Sequence, residues 1–172
     1  MNIFATDLCP KLCAHNLDDR RLIKMILESA QLLSTAIFIN SNIKHNELYK
    51  PTHIKHPCTI WVSLNRSNWM WLYKHLEALC AEYTYRFNKT HKTSSLLIYL
   101  LKYAENLPIG QATSFVNCTQ SQLLGVDFRN IENTHLAYRK YLGAKWDADK
   151  KRPKWTRRGG PDWYKCNKYI II

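Results

Sequence analysis

The sequence predicts an all-α fold, and three observations carry that expectation. Apolar residues recur at three- and four-residue steps over long stretches, capping residues stand where those stretches begin, and strand-like alternation is scarce. A chain of 172 residues can bury about two-thirds of its unfolded surface, so it needs no staple to fold. The expected organisation is a single compact domain of about four main helices. Its helical core covers residues 1–149, and a non-helical, basic and aromatic tail covers 150–172.

The first long helix is capped by Asn16 or Asp18 and runs to about Ile39, with Leu22, Met25, Ile26, Ser29, Leu32, Leu33 and Ala36 on one face. Arg20, Lys24, Glu28 and Gln31 mark the opposite side. A loop rich in His, Lys and Pro follows from Ile43 to Pro57. The second helix is expected from about Thr59 to Phe87, with Trp61, Leu64, Trp69, Leu72, Leu76 and Leu79 in its stripe and a break or re-cap at Asn65 to Asn68. A third runs from Ser94 to about Asn106 and stops at Pro108-Ile-Gly110. Residues 109–130 show no firm period and read as an irregular excursion, and a last helix spans Ile131 to about Asp147.

Charge narrows the function. Lys and Arg number 25 against 13 acidic residues, a formal net charge of +12, which points to a polyanionic partner. No long basic amphipathic helix suits a membrane surface, and no stretch reaches the roughly 18 apolar residues of a spanning helix. Met1 to Asp7 lacks the basic and apolar regions of a secretory signal, so a cytoplasmic protein with free thiols is expected. Cys9, Cys13 and His15 have the spacing of half a metal site, but no second pair stands at zinc-finger distance, and no metal is expected.

The tail, Lys150 to Lys165, alternates cations with large rings, and Pro153, Gly159, Gly160 and Pro161 argue against a helix there. Cations neutralise phosphates and flat rings stack on bases, so Lys151, Arg152, Lys154, Trp155, Arg157, Arg158, Trp163, Tyr164 and Lys165 are candidate nucleic-acid contacts. On the first helix Arg20 and Lys24 lie four apart with Glu28 a turn further on. That pattern is either a solvated face with an ion pair, or a phosphate grip beside a proton-transferring carboxylate. His53 and His56, just before a helix, either cap backbone groups or form an anion pocket. The rings of the second helix are core, or a base platform near His56; Cys58 beside His56 is a weak nucleophile candidate. Phosphate-loop, dinucleotide, zinc-protease and deaminase motifs are all absent.

Two motifs, Leu-Asp-Asp-Arg-Arg-Leu-Ile-Lys-Met-Ile-Leu-Glu ending at Glu28 and His-Pro-Cys-Thr-Ile-Trp ending at Trp61, are joined by a Trp-Tyr-Lys tail ending at Lys165. With this order of elements the chain resembles the pyrimidine-dimer DNA glycosylases, small all-α repair enzymes of the endonuclease V type, and a set of phage-encoded proteins sharing both motifs. The resemblance implies base excision with abasic-site lyase activity and no cofactor, on duplex DNA holding a damaged or modified base, in a host cytoplasm if the gene is a phage's. It implies an N-terminal amine that attacks C1′ of the deoxyribose, a first-helix glutamate, and cations one turn apart that grip phosphates. Asn2 is bulky for methionine removal, which leaves the amine of Met1 as nucleophile. Arg20 and Lys24 match the phosphate grip in type and spacing. The position that would carry the glutamate holds Arg21, so Asp19 or Glu28 takes that part. Two other functions fit the charge: a non-enzymatic nucleic-acid-binding phage factor, and an enzyme of nucleotides or nucleotide second messengers that uses His53 and His56.

Overall fold

A computed structural model describes residues 1–165; the backbone is described through Lys165, whose side chain, with residues 166–172, lies outside the described part. The chain is all-α. Its helices are α1 (Pro10–Asn16), α2 (Asp19–Ser41), α3 (Pro57–Ser63), α4 (Arg66–Phe87), α5 (Leu97–Lys102), α6 (Thr134–Ala148) and α7 (Asp162–Lys165). The strands among the described residues are the two-residue pair β1 (Gln120–Ser121) and β2 (Val126–Asp127), joined antiparallel inside the irregular excursion.

Local chemistry explains the boundaries. Pro10 opens α1, where its missing N–H costs nothing; this short helix breaks no long apolar period and is absent from the sequence expectation. Asp18 starts α2, and Asn42 ends it in the left-handed region with its N–H on Phe38 O. The expected break in the second helix is a true re-cap: His56 caps α3 through Cys58 N–H, and the Asn65 side chain accepts Asn68 N–H to start α4. The expected third helix is shorter than predicted, because 3-10 turns at Lys92–Leu96 and Ala104–Asn106 flank α5. Asn133 caps α6.

Helix α2 forms the spine of the core and packs on α3 and α4, with α1 lying on α4. Leu22, Met25, Ile26, Leu32, Leu33, Ala36 and Ile37 are fully or almost fully buried, and removing one such Leu would cost about 2–5 kcal/mol. By length and composition alone α2 could cross a membrane; here most of its apolar stretch is buried in the protein. Segment 107–119 returns across α3 and α4. Trp61 Nε1 donates to Ser114 O, Asn68 bonds Thr113 twice, and Ser67 Oγ donates to Gly110 O. Gly110 permits that approach, since a Cβ there would meet Asn65 Cβ at 2.9 Å.

The tail is part of this packing. Trp163 stacks on the buried Trp146 at 5.4 Å and Tyr164 meets the same ring edge-on at 4.7 Å. Trp155 Nε1 reaches Asn16 O at 3.1 Å, and Asp19 N–H donates to Lys154 O at 2.8 Å. The tail is also not wholly non-helical, since Asp162 opens the short α7 directly after Pro161.

Candidate active site

Residues 1–8 run between α2, α6 and segment 115–118. The Asn2 side chain accepts the N–H groups of Ile3 and Phe4 and donates to Cys118 O at 3.1 Å. Phe4 has φ +44°, strained for a bulky residue by about 1–3 kcal/mol. Its ring is held against Tyr138 and Tyr141. This turn lays Met1 beside α2. The amine stands 3.8 Å from Glu28 Oε2, the Asn2 N–H donates to the same oxygen at 3.1 Å, and Lys24 Nζ lies 3.3 Å from Oε1. The Glu28 side chain is only 12 % exposed.

A cleft of about 290 Å³ opens over this group, lined by Met1, Arg20, Arg21, Lys24, Glu28, Tyr141 and Lys145. Arg20 and Lys24 are the outer cations, 62 % and 71 % exposed, with Arg20 3.5 Å from Asp149. Arg21 sits deeper, bonded to Asp18 at 3.0 Å and Asp149 at 2.9 Å. Lys145 lies over the Tyr141 ring at 4.7 Å. Burial first, then the charges of Arg21 and Lys24, depress its pKa against the pull of Asp149. The cleft thus gathers four cationic side chains and an amine around Glu28, so it attracts anions and offers a carboxylate beside an amine.

His56 lies close to this group without lining it. Its Nδ1 accepts Cys58 N–H at 3.1 Å, so the neutral ring carries its proton on Nε2. Burial, then the Met1 amine and His53, push its pKa below the usual histidine range, against Glu28. His56 therefore offers an N–H donor rather than a full charge, and its capping role is the structural one foreseen. His53 is exposed, has φ +50°, and shares a 2.7 Å bond between its Nδ1 and Thr52 Oγ1. Cys58 is buried, with its thiol donated to Cys118 Sγ at 3.7 Å, and its pKa is driven up by that bond and by burial. A buried protonated thiol is no nucleophile.

Asp19 is elsewhere. It accepts from Arg86 Nη1 at 3.0 Å and from the Thr156 hydroxyl at 2.7 Å. Asp19 and Glu28 are nine residues apart, about half a turn out of phase, so they occupy opposite faces of α2. Arg86, fully buried, ties Asp19 to Glu82 at 2.7 Å and to the carbonyls of Leu17 and His15. Asp19 is a strut of this network, and of the two carboxylates it is Glu28 that lies in the cleft beside the Met1 amine.

The same network corrects the reading of the tail. Arg158 forks onto both oxygens of Glu82 at 2.5 and 2.7 Å. Arg157 bonds Tyr85 O, and Tyr164 OH donates to Asp147 at 3.0 Å. Trp155, Trp163 and Tyr164 pack on Trp146. Rings held this way cannot stack on a base without opening the core. Lys150, Lys151, Arg152 and Lys154 are exposed, as is Arg157 despite its bond to Tyr85 O; the Lys165 side chain is outside the described part. Tyr141, Lys145 and Arg21 were not anticipated as site residues. The i,i+4 spacing of Tyr141 and Lys145 was visible, but not which way that face of α6 turns. Cys9, Cys13 and His15 have separate surroundings: Cys9 is exposed, Cys13 donates to Asp7 O, and His15 lies 3.4 Å from Glu82.

A family model described as pyrimidine dimer DNA glycosylase matches residues 1–95. No curated protein and no solved structure matches the chain. The matched span holds Met1, Arg20, Lys24, Glu28, His53 and His56, whereas Tyr141, Lys145 and the tail lie beyond it.

Proposed function

The chain belongs to the pyrimidine dimer DNA glycosylase family, and from that premise we propose that it excises a damaged or modified base from duplex DNA with the Met1 amine as nucleophile. Membership supports a DNA-acting enzyme over a passive binder; the lesion class, the nucleophile and the lyase step are our reading. The observation that carries it is the 3.8 Å approach of the Met1 amine to the largely buried Glu28 in a cation-lined cleft.

In this reading Glu28 takes a proton from the Met1 ammonium, and the freed lone pair attacks C1′ of the deoxyribose. The C1′–base bond breaks, and the base leaves with the bonding pair and picks up a proton. Loss of the ring oxygen from C1′ then gives a C1′=N iminium on the Met1 nitrogen. Removal of a C2′ proton eliminates the 3′ phosphate, and water returns the amine. Arg20 and Lys24 hold phosphates beside the lesion, Lys145 adds a third cation, and His56 supplies an N–H. The target nucleotide or its partner leaves the stack so that C1′ can be reached. Lys151, Arg152 and Lys154 extend the contact along the backbone. No cofactor takes part.

The test is base release and strand scission on duplexes carrying ultraviolet photoproducts or modified bases, using protein whose chain is verified by mass to begin at Met1. Release that disappears when the amine is acetylated agrees with the reading. Undiminished release from the acetylated protein overturns it.

A further inference from the structure

Two thiols meet beneath the N-terminal turn. Cys58, in the first turn of α3, and Cys118, just ahead of β1, stand 60 residues apart in sequence, yet their sulfurs lie 3.7 Å from one another. The two are not placed alike. Cys58 is fully buried, whereas Cys118 is partly open to solvent. Charge costs more at the buried sulfur, so the proton of the pair stays on Cys58 and points at Cys118. Cys118 is therefore the sulfur that ionises. The Cys58 hydrogen bond first, then, against burial, the Tyr138 hydroxyl and the charge of the Met1 amine hold its pKa below the usual thiol range.

The backbone on both sides is pinned. Cys118 N–H donates to the Tyr138 hydroxyl at 3.3 Å, and that hydroxyl donates to Val116 O at 2.9 Å. The Tyr138 ring is itself fully buried. Cys58 N–H donates to His56 Nδ1 at 3.1 Å. The two sulfurs are thus held facing each other. Joining them takes the separation from 3.7 Å to roughly the 2.05 Å of a disulfide. Other thiols are used differently: Cys13 gives its proton to Asp7 O, and Cys9 is exposed. An ionised, partly exposed sulfur touching a second thiol has the two properties that peroxide chemistry needs, a nucleophile and a resolving partner.

We propose that Cys118 and Cys58 form a hydroperoxide-reactive pair, in which Cys118 takes the oxidant and Cys58 resolves it as an intramolecular disulfide. The Cys118 thiolate attacks one peroxide oxygen and the O–O bond breaks. The departing hydroxide takes up a proton as water, and Cys118 is left as a sulfenic acid. The Cys58 sulfur then attacks the Cys118 sulfur, and the S–O bond breaks. The leaving hydroxide takes the Cys58 proton, already aimed at it, and departs as a second water. Two thiols lose two electrons and one hydroperoxide gains them. Cys58, buried and protonated in the resting chain, becomes a nucleophile only when that acceptor stands beside it.

Placement gives the bond a consequence. Cys118 O holds the Asn2 side chain at 3.1 Å, and Cys58 N–H carries the cap of His56. A disulfide here ties together the segments that set Met1 and His56. The chemistry needs neither DNA nor turnover, so it stands or falls apart from the proposed base excision.

The reduced full chain is treated with hydrogen peroxide, blocked with N-ethylmaleimide, digested and mapped by mass. The expected product is a Cys58–Cys118 linked peptide pair that dithiothreitol separates. It should form about tenfold faster at pH 7 than oxidation of exposed Cys9, the reference thiol. Variants separate the two roles. Cys58→Ser should stop at a Cys118 sulfenic acid that a 1,3-dione traps, while Cys118→Ser should leave Cys58 reduced. Circular dichroism checks that each is folded, and the linked peptides of the unaltered chain decide the matter without either. No such linkage once Cys9 is oxidised overturns the proposal, as does Cys118 joined to any other cysteine. A sulfenic acid trapped on Cys58 instead of Cys118 overturns the assignment of roles.

Discussion

Two clusters of cations and carboxylates sit on opposite faces of α2 and use nearly the same side chains. On one face Arg86 and Arg158 close around Glu82 and Asp19, and most of their hydrogen-bonding capacity is satisfied within the chain. On the other, Arg20, Lys24 and Lys145 surround Glu28 with an amine beside it, and the cleft stays open to solvent. The first arrangement holds the tail and the α1–α2 junction together; the second has positive charge left over for an external anion. Residue type does not distinguish a strut from a site. Whether the charges balance inside the fold does.

Exchanging the two glutamates sharpens the contrast most. Glu28→Gln should lower turnover by about 10²- to 10⁴-fold, the usual range for a lost acid–base group, with an unchanged urea midpoint. Glu82→Gln should leave buried Arg86 short of a partner and cost about 3–5 kcal/mol of stability, with activity falling only as the folded fraction falls. If the effects were reversed, the assignment of the two faces would be wrong.

Acid should separate core from cleft. Burial pushes His75 down to about 4, its Nδ1–H still donated to Pro10 O. A depressed histidine contributes stability that is full above its unfolded value and is lost as pH falls through the folded one. Unfolding free energy should therefore decline between about pH 6.5 and 4, by roughly 3 kcal/mol from this group. The lowered pKa values of His15 and Glu82 act in the same direction; for Glu82, burial raises the pKa but the bonds and charges of Arg158 and Arg86 outweigh it. His75→Gln should flatten the denaturation profile over that window.

Arg158→Met removes one side of the tail's clamp. Because the guanidinium is 30 % exposed, solvent screening limits the cost to about 1 kcal/mol, readable as a small drop in urea midpoint. The smallest effect on stability belongs to Lys151, Arg152 and Lys154. Changing all three to Gln should shift stability by less than about 0.5 kcal/mol. The same change should lower the salt dependence of DNA binding by up to about 0.9 in log–log slope for each phosphate no longer neutralised.

Much of the helical frame was legible because its signals are local: the apolar period of α2, the re-cap at Asn65 and the stop at Pro108 each depend on neighbours in sequence. Half a turn separates Asp19 from Glu28, so their opposite faces were also readable from spacing. The tail was not. Alternating Arg, Lys and Trp look the same whether they meet phosphates or the chain's own Glu82, Asp147 and Trp146, and those partners come from distant helices. Tyr141 and Lys145 joined the cleft for the same reason: their place depends on how α6 docks against residues 1–8.

The central claim, that the chemistry belongs to Met1 and the tail is a clamp and contact surface, is tested most directly by borohydride trapping on lesion-bearing duplex followed by peptide mass mapping. The account predicts one deoxyribose-derived adduct on the N-terminal peptide, retained when Lys151, Arg152 and Lys154 are changed to Gln. An adduct on Lys145 or on a tail lysine, or no adduct from a chain that begins at an intact Met1 and still releases base, would contradict it.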